Sequence, residues 1–237
     1  MTKTGLEVCV DTLAGAEAAL DGGADRVELC AALSEGGLTP SCGMMRAVAR
    51  LDIDAYAMIR PRCGLFHFTS DEVNIMCADI VTAREARLAG VVLGAQGADG
   101  GLELAVLGRL LEPAGPMPAT LHRVLDVVPD PVAALDQAID LGFERVLTSG
   151  AATAAPRGAD MIRALVARAD GRISVMPGCG LEADNVAELV RATGVTEVHA
   201  ACQSPADGPR AFSDFDPPGG RFVTDAEKVR AMVEVLA

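Results

Sequence analysis

At 237 residues, half of them hydrophobic and with a formal net charge of -13, the chain has the length of one large α/β domain and the material for a sizeable core, so a single domain over 1–237 is expected. The acidic balance argues against nucleic acid and against a membrane surface as partners, since both need clustered Lys and Arg; a small anionic ligand needs only a local positive site. No apolar run approaches the roughly 18 residues of a membrane span. Residues 1–5 lead straight into a strand with no apolar leader core, so a cytoplasmic protein is expected. Seven scattered cysteines without a Cys-x-x-Cys pair read as reduced thiols, with Cys42, Cys63 and Cys77 taken as ordinary small buried residues.

In chain order, 6–10 (Leu6-Glu7-Val8-Cys9-Val10) reads as a buried strand, 12–21 as a helix, and 26–30 as a second strand ending Val27-Glu28-Leu29-Cys30. A helix at 41–51 and a strand at 54–60 follow. Then come helix 71–89, strand 90–94, helix 102–112, strand 118–122, helix 131–141 and strand 145–149. Helix 158–169, strand 172–176, helix 183–192 and strand 197–201 continue the alternation. A last helix fits 224–236, where Thr224-Asp225-Ala226-Glu227 offers a cap and an acidic first turn. Gly23, Gly90, Gly142 and Gly194 lead into the even-numbered strands, the last three evenly spaced, and each suits a left-handed helix C-terminus. Eight strand–helix units predict a (β/α)8 barrel of the TIM-barrel type. A doubly wound open sheet is the alternative, but no Gly-x-Gly-x-x-Gly follows the first strand.

Strand alternation then selects an interior. If Glu7 and Cys9 face inward, Leu6, Val8 and Val10 face the helices, and Glu28 and Cys30 repeat the arrangement on the next strand. Met58 and Arg60 follow on strand three, with Arg62 beyond. Strand five ends in His122 and Arg123, with Asp126 close behind, and strand eight carries His199. Buried carboxylates need partners or a ligand, so the strand ends read as a site, with Glu7 and Glu28 holding Arg60 when no ligand is present. A structural layer of ion pairs among Glu7, Glu28 and Arg60 is the plainer explanation. After strand seven, Gly178-Cys179-Gly180 reads either as an anion-binding turn at a helix N-terminus or as a tight connection. The longest loop, about 203–222, reads as a mobile lid.

Several of these runs together resemble the CutC family, named for copper homeostasis. They are Glu7-Val-Cys-Val-Asp11, Gly23-Ala-Asp-Arg-Val-Glu-Leu-Cys30, Glu35-Gly-Gly-Leu-Thr-Pro-Ser41 and Met58-Ile-Arg-Pro-Arg62, then His122-Arg123…Asp126, Arg145-Val-Leu-Thr-Ser-Gly150, Val175-Met-Pro-Gly178 and Glu197-Val-His-Ala200. The resemblance spans about 5–202. It implies a (β/α)8 barrel, cytosolic and oligomeric, and Cys9 and Cys30 match the two family cysteines associated with Cu(I). Cys63 and Leu65 stand where the family more typically has Gly and Asp, and Cys179 stands where a glycine is usual.

Two functions follow. In one, thiolates of Cys9 and Cys30, at matching places on adjacent strands, hold a copper ion, with Met58, Met176 or His122 as extra ligands; soft sulfur suits Cu(I). In the other, the protein is an enzyme acting on a small anionic or phosphorylated metabolite. Arg60, Arg62, Arg123, Gly178, Gly180 and His199 would then bind it, and Glu7, Glu28, His122 and Asp126 would move protons. No organic cofactor is implied by either. The apolar helix set leads us to expect a homodimer.

Overall fold

A computed structural model of the chain describes residues 3–206 and 220–237. Eight parallel strands form one sheet: β1 (Gly5–Val10), β2 (Arg26–Leu29), β3 (Asp54–Met58), β4 (Gly90–Leu93), β5 (Ala119–Leu121), β6 (Arg145–Thr148), β7 (Ser174–Pro177) and β8 (Glu197–Ala200). Each pairs with its sequence neighbour from β1 to β7, and β8 returns beside β1. β7 and β8 face each other across the remaining seam, giving the expected (β/α)8 barrel.

The helices are α1 (Leu13–Gly22), α2 (Cys42–Val48), α3 (Ser70–Glu85), α4 (Leu104–Ala114), α5 (Pro131–Leu141), α6 (Ala159–Ala169), α7 (Val186–Thr193) and α8 (Ala226–Leu236). Their starts are chemically marked. Thr12 caps α1, Asp130 caps α5 ahead of Pro131, and Thr69 with Glu72 forms a full capping box on α3. Outward strand residues such as Leu6, Val27, Leu29, Leu93 and Leu121 pack under these helices without solvent exposure. Burial of each stabilises the fold by roughly 1.5–3 kcal/mol. No helix among the described residues is long and apolar enough to cross a membrane.

Three of the four lead-in glycines behave as expected: Gly23, Gly142 and Gly194 end α1, α5 and α7 at φ 88°, 84° and 76°. Gly90 does not. It is the first residue of β4, while α3 already ends at Glu85 and the left-handed residue there is Arg87, at φ 64°. Gly90 is instead required by space, because a Cβ there would run into the Tyr56 ring inside the barrel. Cys63 is exposed, not buried, and Cys42 and Cys77 are half-buried. In the expected lid, β9 (Gln203–Pro205) pairs antiparallel with β10 (Phe222–Thr224), and residues 207–219 between them lie outside the described residues.

Candidate functional site

The barrel interior is polar in two tiers. The lower tier is an ion-pair layer. Glu7 is the register partner of Arg26 on β2 and of His199 on β8. Arg26 Nε meets Glu7 Oε2 at 2.5 Å and its Nη2 meets Glu197 Oε2 at 2.8 Å, while Arg145 Nε meets Glu197 Oε1 at 2.6 Å. Tyr56 lies beneath both guanidiniums, its ring centre 5.0 Å from Arg26 and 5.4 Å from Arg145. Burial alone would raise the Glu7 carboxyl, but the bond to His199 and the charge of Arg26 bring it down to about 2. The structural ion-pair layer is therefore present, with Arg26, Arg145 and Glu197 in place of Arg60. Sequence reading passed over these three. Their signal was the same alternation carried one step down each strand: Arg26 stands two before Glu28, and Glu197 two before His199.

The upper tier opens on a cavity of about 500 Å³ at the C-terminal ends of the strands, lined by Cys9, Glu28, Arg60, His122, Arg123 and His199 among others. His199 joins the tiers. Its Nδ1 lies 2.8 Å from Glu7 Oε1 and its Nε2 4.0 Å from Glu28 Oε2. Burial would lower its pKa, but Glu28 and the other acidic neighbours outweigh this and hold the imidazolium well above its ordinary range. Burial pushes the Glu28 carboxyl up, against the pull of His199. Glu7, Glu28 and His199 each offer a ligand atom within 4.8 Å of the others. The two carboxylates face opposite ring nitrogens, however, and Glu7 already holds Arg26. That geometry suits an imidazolium held between two carboxylates better than a metal ion.

The register also corrects the placing of the cysteines. Cys9 is the partner of Glu28, and Cys30 stands one inward step further on, where its N–H donates to Val10 O at 2.8 Å. The Cys30 thiol lies 3.5 Å from Glu28 Oε2 and clusters with Tyr56 and Met58. Burial, then the Glu28 charge, pushes it well above the ordinary thiol range.

Arg60 is not held by Glu7 and Glu28. Its Nη1 donates to Glu35 O at 2.9 Å and Gly37 O at 3.1 Å, and its Nη2 to Gly64 O at 3.1 Å. Phe66 packs against the Arg60 guanidinium at 5.3 Å and against the His122 ring at 4.6 Å. The His122 ring occupies the space a Cβ at Gly94 would need. Its Nδ1 accepts the Val124 N–H at 3.1 Å. Burial, then the charge of Arg60, takes its pKa down to about 3, so the ring is neutral and carries its proton on Nε2. His122 thus lines the cavity with an unpartnered donor N–H at Nε2.

The remaining candidates divide. Arg123 lines the cavity, with Nε on Asp126 at 2.8 Å and Nη2 on Ser149 Oγ at 2.8 Å. Asp126 lies behind the wall and is saturated: it accepts from Thr148 Oγ1 at 2.5 Å, from the N–H groups of Ser149 and Ala151, and from Arg123. Arg62 points away, paired with Glu72 at 2.5 Å and with loop carbonyls. Gly180 lines the cavity, whereas the Gly178 N–H is used on Thr148 O and its missing side chain makes room for Leu147 and His199. That turn acts mainly as a tight connection.

With this geometry in hand, comparison with known proteins is specific. The CutC family model matches residues 4–204. A family protein CutC of Rhizobium meliloti (strain 1021) is 49% identical over 234 residues, covering 98% of this chain and 96% of the relative. One of Caulobacter vibrioides (strain NA1000 / CB15N) is 48% identical, covering 98% and 97%. Among solved structures, a Streptococcus agalactiae protein described as a candidate copper homeostasis protein CutC superposes with a TM-score of 0.81 at 32% identity, covering 84% of this chain and 98% of that one. Phosphoribosyl anthranilate isomerase of Thermotoga maritima, at 13% identity and a TM-score of 0.59, shares the barrel fold. The chain belongs to the CutC family.

Proposed function

We propose that the protein serves copper homeostasis by holding Cu(I) between the thiols of Cys9 and Cys30. The observation that carries this reading is a pair of buried thiols on adjacent strands, both turned to the barrel interior on either side of Glu28, with Cys9 opening on the mouth cavity. With parallel strands about 4.8 Å apart and a rise of about 3.3 Å per residue, such diagonal neighbours lie roughly 8 Å apart between Cα atoms, a span that two cysteine side chains can bridge through one ion. Soft sulfur suits Cu(I), whose binding displaces the thiol protons, including the one that burial and Glu28 favour on Cys30, and the Met58 thioether beside Cys30 supplies a third soft donor. The description of the Streptococcus agalactiae relative as a candidate copper homeostasis protein supports the same reading.

The test is competition for Cu(I) against a chromophoric chelator under reducing, anaerobic conditions. The wild type is expected to take one ion per chain. Cys9→Ser and Cys30→Ser should each abolish tight binding, and the double variant should lose no more than either. Thermal unfolding confirms that the variants are folded. Unchanged affinity in a folded double variant overturns the copper site and leaves both cysteines as packing.

A further inference from the structure

Among the described residues, three buried side-chain polar atoms lack a hydrogen-bond partner: Glu28 Oε1, Arg60 Nε and His122 Nε2. All three residues line the same mouth cavity, and they are only 4%, 8% and 3% exposed. Unmet buried polar atoms are costly and few in native proteins. The cleft at the opposite end of the barrel, lined by Ala24, Asp52, Asp54 and Arg87, holds none. That all three belong to residues lining one cavity marks this surface as shaped for something other than the protein itself.

We propose that the mouth is a recognition site for a small hydroxylated oxyanion, with Arg60 Nε–H and His122 Nε2–H donating to its anionic oxygens and Glu28 Oε1 meeting a hydroxyl. The chemistry follows from what each atom offers. Arg60 is positively charged, yet the partners of its guanidinium are carbonyls, so its charge is uncompensated and its Nε–H is free. The Val124 N–H on His122 Nδ1 fixes the opposite nitrogen as a donor, without any proton transfer being required. Phe66 packs on both groups and so holds the two donors in place before a ligand arrives. Arg123 adds positive charge at the rim. Glu35 and Glu182 also line the rim, but both are exposed and screened by solvent. The cavity volume falls within the range of small-molecule sites, roughly 300–1,000 Å³. A carboxylate and a phosphate ester present the same oxyanion chemistry. The copper site borders the same cavity through Cys9 and Met58, but among the described residues neither Arg60 nor His122 hydrogen-bonds a thiol.

The experiment is thermal shift and calorimetry on the metal-free full chain. The probes are D-glycerate, glycerol 3-phosphate, inorganic phosphate and, as the neutral control, glycerol. We expect a rise of several degrees in Tm with D-glycerate or glycerol 3-phosphate at millimolar concentration, whichever binds naming the oxyanion, and none with glycerol. Arg60→Gln should erase the shift, and His122→Phe should weaken binding about tenfold, as expected for one buried hydrogen bond. Arg168→Gln, at an exposed arginine of α6, should leave it unchanged. Should Arg60→Gln not fold, histidine ring nitrogen NMR on the wild type decides: the ligand must move the His122 Nε2–H signal. No shift with any of the anions, a shift that survives Arg60→Gln, or an unmoved His122 signal overturns the proposal.

Discussion

Glu7 and Arg26 are register partners on adjacent strands, and their side chains meet at 2.5 Å in the barrel interior. Glu7 is fully buried and Arg26 mostly so, and each has one further charged partner, His199 and Glu197 respectively. Removing one partner of a buried pair leaves an uncompensated charge, at a cost of roughly 3–5 kcal/mol. Arg26→Met should therefore lower the urea midpoint sharply, and adding Glu7→Gln should recover part of the loss. A loss of under about 1 kcal/mol in the single variant would show that the layer does not stabilise the barrel.

Acid should weaken the fold in a defined window because of His122. The ring is held neutral with a pKa of about 3, against 6.5 when unfolded. Between those values the unfolded chain binds the extra proton, so stability falls as pH drops from 6.5 toward 3. By pH 5 this amounts to about 2 kcal/mol. Glu7, at about 2 in the fold against 4.5, adds a second loss as pH falls from 4.5 toward 2. The raised Glu28 and His199 act in the opposite sense: each stabilises below its unfolded value and loses that contribution as pH rises through its folded one. Comparing wild type with His122→Phe isolates the first effect. Urea midpoints at pH 7 and pH 5 should differ clearly less in the variant; equal differences would remove His122 as the cause.

Cys179 has φ 79°, a left-handed backbone that glycine adopts without strain. The cost of that conformation for a side-chain-bearing residue is about 1–2 kcal/mol. Cys179→Gly should raise Tm by about 2–4 °C, the shift expected for ~1 kcal/mol in a chain of this size. A lower Tm would mean that the thiol contact with Thr153 O, at 3.3 Å, outweighs the strain.

Gly94 is held small by the ring of His122. Gly94→Ala forces a methyl into packed space and should cost about 1–3 kcal/mol. It should also displace the ring, which the His122 imidazole resonances would report. A variant of wild-type stability with unchanged resonances would show that the ring has room to spare.

Much of this was legible in the residues themselves. Alternation of apolar and polar positions is local to each strand, so it correctly turned Cys9, Glu28, Arg60, His122 and His199 inward and their Val, Leu and Ile neighbours toward the helices. The repeated strand–helix units were enough for the barrel. What alternation cannot supply is height. The stagger between neighbouring strands is set by closing the whole barrel, and that stagger put Glu7 beside Arg26, Cys9 beside Glu28, and Cys30 one step beyond. Nor did the sequence reveal that carbonyls of Glu35, Gly37 and Gly64 orient Arg60, or that Tyr56 makes Gly90 necessary. The direction in which a side chain faces follows from its own strand, whereas the partner it meets depends on segments far away in the chain, and only closure of the barrel brings those to the same level.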